Sequence, residues 1–268
     1  MSGNGTLGNI KAVLFDMDGL LIDSEGVYTV VVNEILAPYG KEQTWAIKSK
    51  LMGTPERKAT EILLSSLWPP AEGEPGPFSH DCPFTIDSFL SHRNMNLDDY
   101  FSKVKPMPGA EKVVKHLADC GVPICVATGS KRRNFDIKSG ANPSLFAPFG
   151  TRVVCGDDER IKRGKPNPDI FLLAAREGLQ SDVFKTGIRE LGEEHDGELA
   201  GREGEILVFE DAKPGVQAAK RAGMNVVWVP DPNLKALLQE SDEDIGATQT
   251  IDSLLDWKPE QWGLPPYK

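Results

Sequence analysis

The chain has 268 residues, of which 40% are hydrophobic and 26% charged, and its formal net charge is -10. This composition excludes a disordered or fibrous protein, and the length suits one large domain or a core carrying a smaller insertion. The acidic balance argues against a polymeric nucleic acid as partner, yet a local cationic pocket would still admit a small phosphorylated metabolite.

The opening segment MSGNGTLGNIK lacks the basic-then-apolar layout of a secretory signal, and Ser2 stands where myristoylation needs glycine. No apolar run reaches the length of a membrane span. The expectation is a cytoplasmic monomer with no membrane partner. The first apolar run, Ala12–Phe15, predicts a strand that ends in Phe15-Asp16-Met17-Asp18-Gly19. From about Ser24 to Lys105 there is no strand pattern. Val27, Val30, Val31 and Ile35 form one helical face, Ala59, Ile62, Leu63, Ser66 and Leu67 a second, and Ile86, Phe89, Leu90, Leu97, Tyr100, Phe101 and Val104 a third. A proline-rich loop, Pro69 to Pro83, separates the second from the third.

Beyond this module, Ala110, Val113, Val114, Leu117 and Ala118 repeat with helical period and Gly121 follows as a stop. Strands are predicted over Val122–Ala127, Arg152–Cys155, Ile206–Phe209 and Val226–Val229. Asn167-Pro168 offers a cap and a first-turn proline for a helix through Ile170–Glu177, and Pro214 and Gly223 bracket another. The stretch Ser181–Gly204, rich in glycine and glutamate, reads as a mobile surface loop, and Pro259–Lys268 as an extended, packed tail. Near-continuous apolar strands alternating with helices imply a parallel sheet covered on both faces, an α/β fold with an inserted helical module. The four cysteines, Cys82, Cys120, Cys125 and Cys155, form no CxxC pair and read as free thiols in a reducing compartment.

In an open parallel sheet, ligands bind outside the carboxyl ends of the strands. Asp16 and Asp18 sit there, and such a pair repels itself unless a cation or a shared proton intervenes. Magnesium suits the oxygen donors. Alone, the pair fits a simple turn cap equally well. Three more strand-end features join it. Thr128-Gly129-Ser130 after the second strand offers hydroxyl and backbone N–H groups to an anion, or a plain helix cap. Gly164-Lys165-Pro166 offers a point charge, or an exposed loop lysine. Glu210-Asp211 ends the fourth strand with two adjacent acids, or caps the next helix. All four on one edge of one sheet point to a phosphate and metal site.

This order of motifs resembles the haloacid dehalogenase-like hydrolase superfamily. The segments FDMDGLLIDSEGVY, MPGAEKVVKHL, GDD followed by GKPNPDIFL, LVFEDAKPGVQAAKRAGMNVVWVPD and WGLPPY are most similar to its pseudouridine-5′-phosphatase subgroup. The resemblance implies a Rossmann-like core, residues 1–23 and 106–268, with an α-helical cap domain over 24–105 that reads the leaving group. It implies Asp16 as nucleophile, Asp18 as general acid/base, Thr128, Gly129 and Ser130 on the phosphoryl group, and Lys165 as a balancing charge. Mg²⁺ would be held by Asp16, Asp211 and Glu210, with Asp18 contributing its backbone carbonyl. The implied activity is phosphomonoester hydrolysis through an aspartyl phosphate, with pseudouridine 5′-monophosphate as lead substrate. The alternatives are a sugar-phosphate phosphatase of the 2-deoxyglucose-6-phosphate or glycerol-phosphate type, or a β-phosphoglucomutase-like mutase. Glu25, with Tyr28, Asn33 and Met52, is a candidate for the substrate pocket.

Overall fold

A computed structural model describes residues 7–51, 54, 56–191, 201–240 and 245–268. By its contacts the chain divides into two units, Met1–Asp23 with Lys105–Lys268, and Ser24–Val104.

The first unit is built on one sheet of six parallel strands: β1 (Ala12–Phe15), β2 (Ile124–Thr128), β3 (Val153–Cys155), β4 (Ile206–Glu210), β5 (Asn225–Trp228) and β6 (Gln249–Thr250). Their spatial order is β3-β2-β1-β4-β5-β6. Val13 of β1 pairs with Ile124 on one side and Leu207 on the other, so β1 is central and its tip faces two neighbouring tips. Every residue of β1, β2 and β4 is buried, which is why these strands read as unbroken apolar runs instead of alternating ones. The Phe15 ring lies stacked on Phe209 at 5.1 Å between centroids and edge-on to Phe149 at 5.8 Å. Trp257, in the C-terminal segment, closes edge-on against Phe209 at 5.0 Å. Burial of each such ring contributes about 1.5–3 kcal/mol, so the strand carrying the first aspartates is anchored by its own last core residue.

The α/β class and the parallel sheet are as predicted, and the strand ends differ from expectation by one or two residues. The two-residue β6 has no apolar pattern and escapes sequence reasoning. The helix expected over Ile170–Glu177 is α-helical only over Asp169–Leu173 and then widens into a π turn, Ala174–Gly178. Gly178 in that turn lies against Cys125, and a methyl there would stand 2.6 Å from its sulfur. The region read as one loop from Ser181 contains a short helix, Asp182–Gly187, and a 3₁₀ turn, Glu203–Glu205. Its middle, residues 192–200, lies outside the described residues. The tail is not wholly extended either, since Pro259–Trp262 forms a 3₁₀ turn that buries Trp262.

All four cysteines are free; Cys125 and Cys155 are buried and the other two half-buried. Burial pushes the Cys155 thiol up to about 11, so it stays protonated at neutral pH.

The second unit is helical: α1 (Ser24–Leu36), α2 (Trp45–Leu51), α3 (Glu56–Leu67) and α4 (Ile86–Phe101). Val32, Leu36, Leu63, Leu64, Leu67, Phe84 and Phe89 form its core. Thr85 starts α4 with a reciprocal cap: its hydroxyl accepts from Ser88 N–H, and Ser88 Oγ accepts from Thr85 N–H. The proline-rich loop before it is organised by Glu74, whose carboxylate accepts the N–H groups of Ala71 and His80. Sequence reasoning does not predict α2, because seven residues are too few for a periodic pattern, although Ile47 and Leu51, four apart, pack against this core.

Candidate active site

Four strand tips build the site. Asp16 follows the last residue of β1, and its N–H donates to Phe209 O at 3.0 Å, so the backbone is still tied to β4 where the side chain leaves the sheet. Gly19, at φ +80°, occupies the left-handed region that lets the chain turn back after Asp18.

Lys165 Nζ donates to Asp16 Oδ1 and to Glu210 Oε1, each at 2.5 Å, and lies 3.4 Å from Ala127 O. It is therefore no exposed loop lysine; it bridges the tips of β1 and β4. One carboxylate oxygen from each of Asp16, Glu210 and Asp211 lies within 4.8 Å of the other two, and all three residues are buried. The second oxygen of Glu210 accepts the N–H groups of Asp211 and Ala212, at 3.1 and 3.2 Å. Trp228 Nε1 donates to Asp211 O at 2.7 Å and holds the tip of β4 from β5.

Space for Glu210 comes from Gly215 in the helix that follows β4, Lys213–Arg221. A methyl on Gly215 would stand 1.8 Å from Glu210 Oε1. Gly215→Ala is therefore expected to cost about 1–3 kcal/mol of stability and to lower turnover with it. Chemical denaturation and initial-rate measurements on the same variant check both.

Electrostatics in the cluster are set by burial and by the Lys165 ammonium between Asp16 and Glu210. Burial raises the Asp16 carboxyl to about 7; Lys165 opposes this, and Glu210 and Asp18 add to the rise. Burial works to neutralise Lys165, but Asp16 and Glu210 outweigh it and hold the lysine charged.

The β2 tip supplies hydroxyls. Ser130 Oγ donates to Asp18 Oδ2 at 2.7 Å, and Thr128 Oγ1 lies 3.3 Å from the same oxygen. Thr128 Oγ1 also accepts Ser130 N–H at 3.0 Å. Gly156, after β3, donates to Ser130 O at 2.9 Å. A methyl at Gly156 would fall 2.4 Å from Gly129 O, so this approach requires glycine. The helix after the β2 tip, Arg132–Gly140, presents Arg132 N–H to Asp157 Oδ1 at 2.9 Å. That part of the expected anion site is thus already occupied by an acid from the β3 loop.

One side chain was not anticipated. Lys138, on the same helix, is fully buried and places Nζ 2.5 Å from Asp18 Oδ1 and 3.2 Å from Ser130 Oγ. The available signal was its register: it follows Phe135 by three positions, the spacing of a core-facing residue.

Glu25, expected to bind substrate, belongs to the helical unit. With Tyr28, Lys48, Glu56 and Arg93 it lines a cavity of about 290 Å³ there. Asn33 instead accepts Gln43 N–H at 2.7 Å, and Met52 lies outside the described residues.

Fold and site together define an α/β enzyme framework with its polar cluster outside the carboxyl ends of a parallel sheet. The haloacid dehalogenase-like hydrolase family model matches residues 10–223. The chain is 42% identical to (DL)-glycerol-3-phosphatase 2 of Arabidopsis thaliana, covering 97% of this chain and 94% of that protein. It is 34% identical to a probable pseudouridine-5′-phosphatase of Drosophila melanogaster, covering 98% of each. Among solved structures, a putative β-phosphoglucomutase from Thermotoga maritima superposes with a TM-score of 0.60 at 27% identity, covering 90% of this chain and 94% of that one. The chain belongs to the haloacid dehalogenase-like hydrolase family. It is an enzyme of that family, as the strand-end motifs implied, and the two curated relatives are phosphatases by name.

Proposed function

We propose that this hydrolase is a magnesium-dependent phosphomonoesterase that acts on a small phosphorylated metabolite through an aspartyl phosphate on Asp16. The observation that carries the reading is the buried group of Asp16, Glu210 and Asp211, with Lys165 bridging the first two. Three buried carboxyl groups converge on one point, and such an all-oxygen donor set suits magnesium. Asp16 and Asp211 would hold it by their carboxylates, Asp18 by its backbone carbonyl, and Glu210 at the same cluster. When bound, the cation supplies charge neutralisation to the phosphoryl oxygens.

The chain's own residues do the rest. An Asp16 oxygen attacks phosphorus in line, the P–O bond to the leaving alcohol breaks, and Asp18 gives that oxygen its proton. Asp18 then takes a proton from water, whose oxygen attacks the aspartyl phosphate. Phosphate departs and the Asp16 carboxylate is regenerated. Lys165 stays charged throughout and balances Asp16, and Thr128 and Ser130 bind phosphoryl oxygens.

Glycerol 3-phosphate is the first candidate substrate, because the relative bearing that activity in its name matches at 42% identity. Pseudouridine 5′-monophosphate is the second, favoured by the 34% match over the full length. Both are monoesters of a primary alcohol on a hydroxyl-bearing carbon skeleton. A phosphate-release screen should include these two with uridine 5′-monophosphate and 2-deoxyglucose 6-phosphate. Turnover is expected to require Mg²⁺, to vanish in EDTA and to favour one of the first two. Preference for 2-deoxyglucose 6-phosphate would defeat both substrate readings. Isomerisation of a hexose phosphate with little free phosphate would replace hydrolysis by mutase chemistry.

A further inference from the structure

The second lysine of the site is more unusual than the first. A lysine is almost never fully buried unless paired, and burying an ammonium costs several kcal/mol. The side chain of Lys138 is 0% exposed, whereas the Asp18 carboxylate it reaches is 21% exposed. Replacing such an ion pair as a whole by apolar side chains of similar volume is often neutral or stabilising. Stability alone therefore does not account for this ion pair.

The geometry does. Lys138 Nζ meets Asp18 Oδ1 at 2.5 Å, Ser130 Oγ meets Asp18 Oδ2 at 2.7 Å, and Lys138 Nζ meets Ser130 Oγ at 3.2 Å. The three groups form a closed ring that grips both oxygens of one carboxylate. Asn142 Nδ2 donates to Lys138 O at 3.2 Å, so the lysine's own backbone is tied as well. The ring hangs from two separate elements, the β2 tip and the helix Arg132–Gly140, and so fixes the plane of the carboxylate as well as its position.

We propose that Lys138 is a positioning residue that sets the orientation of the Asp18 carboxylate for proton transfer. The proposal rests on the reading of Asp18 as the acid/base of a phosphomonoesterase. Lys138 acts through Asp18 and moves no proton itself. A carboxylate left to rotate between strand tips loses alignment with the leaving oxygen, and a misplacement of about 1 Å costs on the order of 10²-fold in rate.

The test is a double-mutant cycle of Lys138→Met and Asp18→Asn, with kcat, KM and thermal midpoint measured for all four proteins under Mg²⁺. Lys138→Met alone is expected to lower kcat by about 10²-fold while KM moves far less, with a modest fall in the melt because Asp18 loses its ion-pair partner. In the Asp18→Asn background the same change is expected to cost nothing further. Unchanged kcat with a lowered melt would make Lys138 merely structural, and losses that multiply in the double variant would mean it acts independently of Asp18. Should Lys138→Met not fold, Lys138→Arg keeps the charge but shifts the contact, and its loss must likewise disappear in Asp18→Asn. Turnover that survives Asp16→Asn would fail the phosphatase reading instead, separately from this cycle.

Discussion

Replacing Asp16 with Asn is expected to lower kcat by at least about 10⁴-fold, the scale on which removal of a covalent nucleophile acts. The amide is nearly isosteric and can still accept from Lys165, which stands 2.5 Å from Oδ1 in the native site. It cannot attack phosphorus. The fold should not suffer, because the native carboxylate is held in a costly place: burial carries its pKa up to about 7, Lys165 pulls back, and Glu210 and Asp18 push further. A neutral amide removes that penalty, so the thermal midpoint is expected to hold or rise. Phosphate release and a thermal melt on one preparation check both halves. Turnover retained by a natively melting variant would sink the assignment of Asp16.

Lys165→Met is expected to have the largest effect on stability. It strips the ammonium from between Asp16 and Glu210, each 2.5 Å away, and leaves two buried carboxylates facing one another beside Asp211. Removing one partner of a buried ion pair costs about 3–5 kcal/mol, and here two acids lose the same partner. The side chain of Lys165 is 15% exposed, so solvent screening relieves little of this. A divalent cation would meet part of the need, so the variant should gain more stability from added Mg²⁺ than the native chain does. Urea denaturation with and without Mg²⁺ measures the difference. Native-like stability in EDTA would show that Lys165 does not hold the cluster together.

The elements that were legible in the sequence are those whose residues carry their own signal. Strands β1, β2 and β4 are buried on both faces and therefore unbroken in their hydrophobicity, and each ends at a chemically distinctive residue. Parallel topology then brings Asp16, Thr128, Lys165, Glu210 and Asp211 to one edge without further information. What was not legible depends on contacts between segments distant in the chain. Strand β6 exists because Gln249 and Thr250 find the edge of β5, not because two polar residues prefer extended backbone. Asp157 takes an N–H at the start of the helix after β2, a pairing that spans β3. Lys138 is one lysine in an otherwise ordinary helix, and its meaning appears only when Asp18 is found beside it. Polar residues that serve other polar residues leave no periodicity.

The central place of β1 has a consequence for how the protein is made. Its Val13 waits for Ile124 on one side and for Leu207 on the other. Emerging from the ribosome, the chain completes the whole helical unit, Ser24–Val104, before the first of those partners exists. The segment carrying Asp16 thus leaves synthesis early and gains its acidic neighbours late. Long-range pairing of this kind slows assembly and leaves an apolar strand exposed to wrong partners in the interval. Truncated chains that end before Glu210 would carry Asp16 but lack Glu210 and Asp211 beside it. The cluster around Asp16 is therefore complete only once β4 has been made and paired with β1.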